Sequence, residues 1–286
     1  MHQFKEIRIE NTNRCGYKCL MCPREKHDRT QGMMSVEDFQ IVLERVGLFE
    51  GEMHLHGFGE PLLDRHLPDK VRLVKERMPK AKTVVFSTLG VPFKEPYFSS
   101  LAEAGLTAIF VSCYGYNPDT YKKVHGVDQF HRLKENLRIL SEVRKKNNNC
   151  PHILVMPSSD EMLYTLSSQK DDRKAFQEWV ESLGIPFTFE RQLHNYGDGR
   201  EYNIPKEERL CPVIRDRRRS ILQVTWDLNV IPCCYDFNAT IRFGNLRESS
   251  LEEIFSSKAF FQFSLAHLTQ NLRDYKVCQN CEKDQY

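Results

Sequence analysis

The chain has 286 residues, with 41 Lys or Arg against 39 Asp or Glu, so its formal net charge is +2. This balance argues against a nucleic-acid or acidic-membrane partner, since both need a strongly basic surface. The N-terminal residues lack the apolar core of a signal peptide, and no apolar run reaches the roughly 20 residues that span a bilayer. We therefore expect a cytoplasmic protein with neither a nucleic-acid nor a membrane partner.

Short β-rich segments alternate with amphipathic helical segments over the first two thirds of the chain. This alternation predicts a parallel sheet with helices outside it. About six β/α units are too few for a closed eight-stranded barrel, so we expect a partial, open barrel. The strands are predicted at 6–10, 52–56, 83–86, 108–112, 153–156 and 187–189, and the helices at 36–46, 67–78, 96–104, 130–145 and 173–183.

The last third of the chain has a different pattern. The segment 193–208 is rich in Asn, Gly, Asp and other charged residues, which indicates a boundary between a domain at 1–195 and one at 196–286. Beyond it, the β-rich runs 220–224 and 230–232 flank Asp227-Leu228-Asn229, which predicts a hairpin. A helix is predicted at 251–263, before a cysteine-containing tail.

Ten cysteines are unusual for a cytoplasmic chain, where thiols more often serve metal or redox chemistry than disulfides. Most of them fall into one group near the N-terminus and one near the C-terminus. Cys113, Cys150 and Cys234 remain outside both groups. The first group comprises Cys15, Cys19 and Cys22, and the second comprises Cys211, Cys233, Cys278 and Cys281.

The N-terminal group follows the first predicted strand as Cys15-x-x-x-Cys19-x-x-Cys22. This position is the carboxyl edge of the sheet, where barrel enzymes place their active sites. Three thiolates can hold three irons of a cubane cluster and leave the fourth iron open, whereas electron-transfer clusters take four protein ligands. The alternative is a zinc site that His27 completes.

This three-cysteine motif resembles the defining motif of the radical S-adenosylmethionine (SAM) superfamily. Gly57-Phe58-Gly59-Glu60-Pro61, after the second strand, resembles the "GGEP" motif that holds the amino group of SAM in that family. Glycines allow close backbone approach and a carboxylate pairs with an ammonium group. The resemblance implies SAM-binding roles for Gly57, Gly59, Glu60 and Pro61, and further roles for Met21 at the adenine, Thr88 after the third strand and Ser112 after the fourth.

The C-terminal cysteines are similar in order to the SPASM domain, in its shortened form called a twitch domain. One cysteine precedes a hairpin, one follows it, and a late Cys-x-x-Cys ends the set. The resemblance implies that these four thiolates bind an auxiliary [4Fe–4S] cluster, with a structural zinc ion as the alternative. Within this subfamily the chain resembles the aminocyclitol dehydrogenase of butirosin biosynthesis, which implies a partial (β/α)6 barrel followed by a small β-hairpin-plus-helix domain.

The family chemistry is hydrogen abstraction from an unactivated C–H bond by a radical made from SAM, with an electron-donor protein such as flavodoxin or ferredoxin as partner. In oxidation, the auxiliary cluster takes an electron from the substrate radical, and Arg191, His194 or Tyr196 is a candidate proton acceptor. In epimerisation, a thiol returns a hydrogen atom, and Cys234 and Cys113 are the candidate donors. His54 and His56 share a strand face and line either the cavity or the core.

Three functions are weighed for this chain, of which the first two follow from the resemblance. The first is oxidation or epimerisation of a small polar substrate such as a sugar or an aminocyclitol. The second is modification of a ribosomally made peptide. We expect it less, because the chain begins at the first predicted strand and leaves no room for an N-terminal recognition domain. The third is a non-enzymatic electron-transfer or zinc protein, which would leave the Gly57–Pro61 motif and the open three-cysteine site unexplained.

Overall fold

One sheet of eight strands runs through this computed structural model, which describes residues 4–147, 150–157, 170–188, 193–197, 199–202, 210–215 and 221–282. The strand order is β5-β4-β3-β2-β1-β6-β7-β8. The strands are β1 (Glu6–Ile9), β2 (Glu52–His54), β3 (Lys82–Ser87), β4 (Ala108–Ser112), β5 (His152–Met156), β6 (Ile221–Val224), β7 (Asn229–Ile231) and β8 (Gly244–Asn245).

Six neighbouring strands, from β5 through β1 to β6, pair in parallel, and the predicted partial α/β barrel is confirmed. The sixth parallel strand is β6, which pairs with β1. The strand predicted at 187–189 is not present at Phe187, which makes only an isolated bridge with Val155. Phe189 lies outside the described residues. The predicted hairpin is present as the antiparallel pair β6–β7. It joins the barrel sheet directly, although we predicted it for a separate domain.

The helices cover the outer face of the sheet. None in the described ranges is long and apolar enough to cross a bilayer. They are α1 (Val36–Val46), α2 (Leu67–Arg77), α3 (Glu95–Glu103), α4 (Pro118–His125), α5 (Phe130–Lys146), α6 (Lys170–Ser182), α7 (Pro212–Arg215), α8 (Leu251–Phe255), α9 (Lys258–Leu268) and α10 (Lys276–Gln279).

Side-chain alternation along the strands separates the core from the interior of the barrel. Ile7 and Ile9 of β1 are fully buried in the hydrophobic core, whereas Arg8 between them lines a cavity. Arg8 is in register with His54 of β2 on one side and Gln223 of β6 on the other, and both of these also line the cavity. The sheet therefore presents a row of polar side chains to the interior of the barrel.

Local capping explains where several helices begin and end. Ser35 accepts a hydrogen bond from the Asp38 amide and starts α1, as predicted. The single helix predicted at 251–263 is wrong. It is broken after Phe255, and Ser257 caps a second helix by accepting from the Phe260 amide across 3.2 Å. A serine at this point competes for backbone hydrogen bonds and favours a new helix start.

Candidate active site

A cavity of about 260 Å³ opens at the carboxyl edge of the parallel strands. It joins the three-cysteine loop, the glycine loop after β2 and the polar interior of the barrel. Most residues that the sequence predicted for the site line it, so the structure brings them together. These are Cys15, Cys19, Met21, Cys22, His54, His56, Gly57, Gly59, Glu60, Thr88, Ser112, His194, Tyr196 and Cys234.

The three-cysteine loop is fixed by hydrogen bonds at its base. The Thr12 hydroxyl donates to the Gly32 carbonyl (2.7 Å) and accepts from the Arg14 amide (3.0 Å). The Arg24 guanidinium donates to the carbonyls of Asn13 (2.6 Å) and Phe58 (3.2 Å). These bonds tie the loop to the glycine loop after β2, so the two motifs keep a constant separation.

Burial controls the ionisation of the three thiols. Desolvation raises the pKa of Cys15 and Cys19, and it raises the pKa of Cys22 to about 11. Neutral thiols are therefore stable here until a metal supplies positive charge, and metal ligation then needs the thiolate forms.

The arrangement does not suit a single zinc ion. Within the described ranges, no three His, Cys, Asp or Glu side chains converge on one metal position. The ring of His27, the alternative fourth ligand, stacks on Phe237 at 5.6 Å between centroids and contacts Phe58 at 5.1 Å. A cluster distributes its thiolates over several irons and needs no such convergence, so the three thiols fit a cluster better than one ion.

Glu60 is a buried acidic residue on the cavity wall that is held by several hydrogen bonds. It is 3% exposed and accepts hydrogen bonds from the Ser87 hydroxyl (2.6 Å), the Thr88 amide (2.9 Å), the Thr88 hydroxyl (2.8 Å) and the Leu62 amide (3.2 Å). Desolvation raises its pKa despite these bonds. The carboxylate is thus fixed in place on the cavity wall, where a ligand ammonium group would stabilise its ionised form.

The two glycines of this loop are required by close packing against the segment after β1. A Cβ on Gly57 would lie 2.4 Å from the Glu10 side chain, and one on Gly59 would lie 2.3 Å from the Thr12 carbonyl oxygen. These glycines were predicted only to allow the close approach of SAM, and they also allow this packing. Pro61, predicted with them, is buried at the start of a 3-10 turn and is not among the residues that line the cavity.

His125, the last residue of α4, also lines the cavity, although the sequence did not predict it. Its Nδ1 lies 3.3 Å from the Cys19 sulfur, and its Nε2 accepts a hydrogen bond from the Tyr114 amide (3.2 Å). The ring is fully buried, and desolvation lowers its pKa to about 3. The sequence does contain a signal for the helix that positions His125. Asn117 and Thr120 form a capping box at the start of α4, and Gly126 ends the helix directly after His125.

The interior of the barrel carries charge. The Glu10 carboxylate, 2% exposed, pairs with both outer nitrogens of Arg29 at 2.7 and 2.8 Å. His54 lies within 3.2 Å of Glu6 and 3.3 Å of Glu52, yet desolvation lowers its pKa, so the neutral ring is favoured. The end of β1 and the strand β2 therefore supply charged and hydrogen-bonding groups to the cavity wall.

Only one of the two thiols predicted as hydrogen donors reaches the cavity. Cys234 lines it and accepts a hydrogen bond from Arg8 across 3.1 Å. Cys113 is fully buried in the hydrophobic core, where its sulfur donates to the Gly115 carbonyl and burial raises its pKa to about 12. Its placement contradicts the predicted role. Arg191 lies outside the described residues.

The C-terminal cysteines share a second cavity, lined by Cys211, Cys233, Cys278 and Cys281 together with apolar side chains. Burial raises the pKa of Cys233 well above its usual value. Four thiols around an apolar space fit a cluster with no open iron. The segment before it is tied to the tail, since the Asn195 amide donates to Glu282 across 2.5 Å. The division of the chain at residue 195 stays a prediction.

The comparisons with known proteins agree with these two sites. The sequence profile of the radical SAM superfamily matches residues 9–167, which is more than half of the chain. The chain belongs to the radical SAM superfamily. An iron-sulfur cluster-binding domain, SPASM, matches residues 211–282. This radical SAM protein accordingly binds SAM and a [4Fe–4S] cluster, and its SPASM region binds a further iron-sulfur cluster.

Individual relatives of this radical SAM protein differ in what they do. A probable GTP 3′,8-cyclase of Saccharolobus islandicus is 31% identical over 140 residues, which are 49% of this chain and 44% of that protein, so the match spans less than half of the cyclase. The tungsten-containing aldehyde ferredoxin oxidoreductase cofactor-modifying protein of Pyrococcus furiosus is 24% identical over 326 aligned positions, covering 97% of this chain and 87% of that protein.

The fold is shared with solved structures. BtrN, an aminocyclitol dehydrogenase whose crystal structure contains AdoMet and 2-DOIA, superposes with a TM-score of 0.67. The two sequences are 22% identical, and the match covers 98% of this chain and 94% of BtrN. This likeness establishes the architecture of the barrel and its C-terminal region.

Proposed function

We propose that this radical SAM enzyme abstracts a hydrogen atom from a C–H bond of a small polar substrate, such as a sugar or an aminocyclitol. The main observation in support of this proposal is one cavity that extends from the three-cysteine loop, past Glu60, to the Cys234 thiol. One enclosure with polar walls therefore contains both the three-cysteine loop and the Cys234 thiol, which supports this proposal.

The residues of the cavity fit the expected cofactors. Cys15, Cys19 and Cys22 would hold the first cluster, and Glu60 would bind the SAM ammonium group. The other SAM contacts would come from Met21, Gly57, Gly59, Thr88 and Ser112, which line the same cavity. When bound, SAM and the first cluster supply a hydrogen-abstracting carbon radical, and an auxiliary cluster at the C-terminal cysteines supplies a one-electron acceptor or donor.

The walls near Cys234 favour a substrate with several hydroxyl or amino groups. Arg8, His54 and Gln223 lie side by side on adjacent strands and can donate or accept hydrogen bonds. Phe86 lines the same space and provides an apolar surface for the carbon skeleton. A polyhydroxylated or aminated ring matches this mixture better than an apolar substrate does.

Cys234 favours epimerisation as the fate of the substrate radical. The S–H bond would break, a new C–H bond would form on the opposite face of the carbon, and the sulfur radical would then take up one proton and one electron. An electron-donor protein such as flavodoxin or ferredoxin would supply that electron. In the oxidation alternative, the substrate radical instead loses a proton and an electron, and His194 or Tyr196 in the cavity could accept the proton.

The first test asks whether the clusters bind where we propose. After anaerobic reconstitution, we expect about eight irons in the wild type and about four in the triple variant Cys15→Ala/Cys19→Ala/Cys22→Ala, as for two cubane sites. The triple variant should form no 5′-deoxyadenosine. Equal iron contents in the two proteins would contradict the assignment of the three-cysteine loop.

The second test identifies the reaction. Sugars and aminocyclitols are screened in D₂O for those that accelerate 5′-deoxyadenosine formation, and the products are analysed by mass. Epimerisation should place one deuterium in the product, because the Cys234 thiol exchanges with solvent, and Cys234→Ala should abolish that product. A ketone without deuterium, formed equally by Cys234→Ala, would establish oxidation. Acceleration by peptides alone would overturn the small-substrate proposal in favour of peptide modification.

A further inference from the structure

The imidazole of His125 is a hydrogen-bond donor to the sulfur of Cys19. The Tyr114 amide donates to Nε2 across 3.2 Å, so Nε2 acts as an acceptor and carries no proton. The proton of the ring is therefore on Nδ1, and Nδ1 lies 3.3 Å from the Cys19 sulfur. The contact between Nε2 and the Tyr114 amide therefore makes His125 the donor, and the Cys19 sulfur the acceptor, of the hydrogen bond at Nδ1.

Packing holds the ring in this orientation. His125 is fully buried, stacked on Tyr121 at 4.3 Å and on Tyr114 at 5.4 Å between centroids. The two stacking planes are tilted from the imidazole by 28° and 5°. With aromatic contacts on the ring and a hydrogen bond at each nitrogen, rotation of the side chain would break several interactions at once.

The backbone around His125 is joined to the cysteine loop itself. The Lys18 amide donates to the His125 carbonyl across 3.1 Å, and the Leu20 amide donates to the Val124 carbonyl across 2.9 Å. These two bonds flank Cys19 in the sequence. The end of α4 and the middle of the loop thus form one unit, and the distance from Nδ1 to the sulfur is set by the backbone as well as by the side chain.

We propose that His125 is a positioning residue that donates an N–H···S hydrogen bond to Cys19 and raises the reduction potential of the first cluster. Reduction adds negative charge to the cluster and its sulfur ligands, so a donor at a ligand sulfur stabilises the reduced form more than the oxidised form. The inference rests on the proposed ligation by Cys19. It is independent of the substrate and of the fate of the substrate radical.

Two substitutions separate the donor from the acceptor function of the ring. An Asn side chain places its amide nitrogen near the position of Nδ1, so His125→Asn keeps a donor toward Cys19. A Gln side chain places its amide near the position of Nε2, so His125→Gln keeps the contact with the Tyr114 amide and loses the donor. His131→Gln makes the same change on an exposed side chain of α5 and serves as the matched control.

The measurement is an EPR-monitored redox titration of the anaerobically reconstituted holoproteins. The titration follows the cluster whose EPR signal changes when SAM is added. The presence of such a signal in the wild type separately tests whether the first cluster binds SAM. We expect His125→Gln to lower the equilibrium constant for one-electron reduction about tenfold, or about 59 mV for a one-electron couple. His125→Asn and His131→Gln should stay close to the wild type. Equal potentials in His125→Gln and the wild type would overturn the proposal, as would equal shifts in the Gln and Asn variants.

A measurement on the wild type covers the case in which the variants fail to retain iron. Protein labelled with ¹⁵N-histidine is examined by pulsed EPR on the SAM-sensitive signal. A ¹⁵N coupling transmitted through the N–H···S bond, replaced by a ¹⁴N coupling in unlabelled protein, is the expected result. Its absence from a sample with a full complement of iron and a normal response to SAM would overturn the hydrogen bond while leaving the proposed function intact.

Discussion

The Arg8 guanidinium donates a hydrogen bond to the Cys234 sulfur across 3.1 Å, although 226 positions separate the two residues along the chain. Arg8 stands on the first strand of the barrel and also pairs with the Glu6 carboxylate. Cys234 follows the last residues of the β6–β7 hairpin. The contact therefore exists only because β6 pairs with β1, and it fixes the direction in which the thiol faces the cavity.

Arg8→Met should uncouple hydrogen return from SAM cleavage. A hydrogen bond of this kind contributes about 1 kcal/mol, so we expect roughly a fivefold fall in product formed per 5′-deoxyadenosine, with SAM cleavage retained. The ratio of product to 5′-deoxyadenosine is measured by chromatography once a substrate is known. Arg72→Met, at a half-exposed arginine of α2, is the control. An unchanged ratio in Arg8→Met would show that Arg8 does not orient the thiol.

Glu60→Gln should weaken both the fold and SAM binding. The new amide nitrogen is a donor, and it would face the donors of Ser87, Thr88 or Leu62 that now bind the carboxylate. We expect the free energy of unfolding to fall by about 2 kcal/mol, and SAM affinity to fall at least about tenfold through loss of the charge. Urea unfolding and equilibrium binding to reconstituted protein measure the two effects.

Thr88→Val provides the comparison for Glu60, since it removes one donor and leaves the carboxylate in place. It should cost less stability, about 1 kcal/mol, and reduce SAM affinity less. Equal SAM affinity in the wild type and in Glu60→Gln would exclude an ion pair between Glu60 and the SAM ammonium group.

Gly59→Ala should displace the glycine loop from the three-cysteine loop. The added methyl group would lie 2.3 Å from the Thr12 carbonyl oxygen and 2.8 Å from that of Arg14. Both are backbone atoms, so the clash can be relieved only if the backbone of the cysteine loop or of the glycine loop moves. We expect a loss of about 1–3 kcal/mol in stability from this overpacking and a loss of SAM cleavage. Gly16→Ala lies in the cysteine loop with nothing within 4 Å of the new methyl group, so it should fold and bind iron normally. Similar losses in both variants would refute the steric argument.

Sequence reasoning was sufficient for features that depend on local pattern. Cysteine spacing placed two sets of thiols in two cavities, and a serine followed by acidic residues located the start of α1. Alternation along the second predicted strand placed His54 and His56 on one face, and both line the cavity. These signals arise from the geometry of single strands and helices, which a sequence determines directly.

Sequence reasoning failed for side chains in the loops that follow strands and for contacts between residues far apart in the chain. Ser112 ends β4 and lines the cavity, whereas the next residue, Cys113, is buried in the core. Cys233 and Cys234 lie in the turn after β7, where Cys233 lines the C-terminal cavity and Cys234 lines the active site. The pairing of β6 with β1 and the contact between His125 and Cys19 depend on tertiary packing, which local propensity does not specify.

His27 should make the stability of the protein depend on pH. The ring is partly buried against Phe58 and Phe237, and desolvation, reinforced by the charges of Arg29 and Arg24, lowers its pKa from 6.5 to about 4. Between these two pH values the unfolded chain binds a proton at His27 and the folded chain does not. The stability contributed by the neutral ring is therefore fully present above pH 6.5 and is lost as the pH falls toward 4.

His27→Phe keeps an aromatic ring between Phe58 and Phe237 and removes the proton-binding site. The urea midpoint of the reconstituted variant should fall less than that of the wild type between pH 7 and about pH 5, because one source of the pH dependence is gone. His131→Phe, at an exposed histidine of α5, should follow the wild type. Parallel curves for His27→Phe and the wild type would mean that His27 is protonated equally in the folded and unfolded chains. The His27 ring would then be in contact with water in the folded protein, in spite of its packing against Phe58 and Phe237.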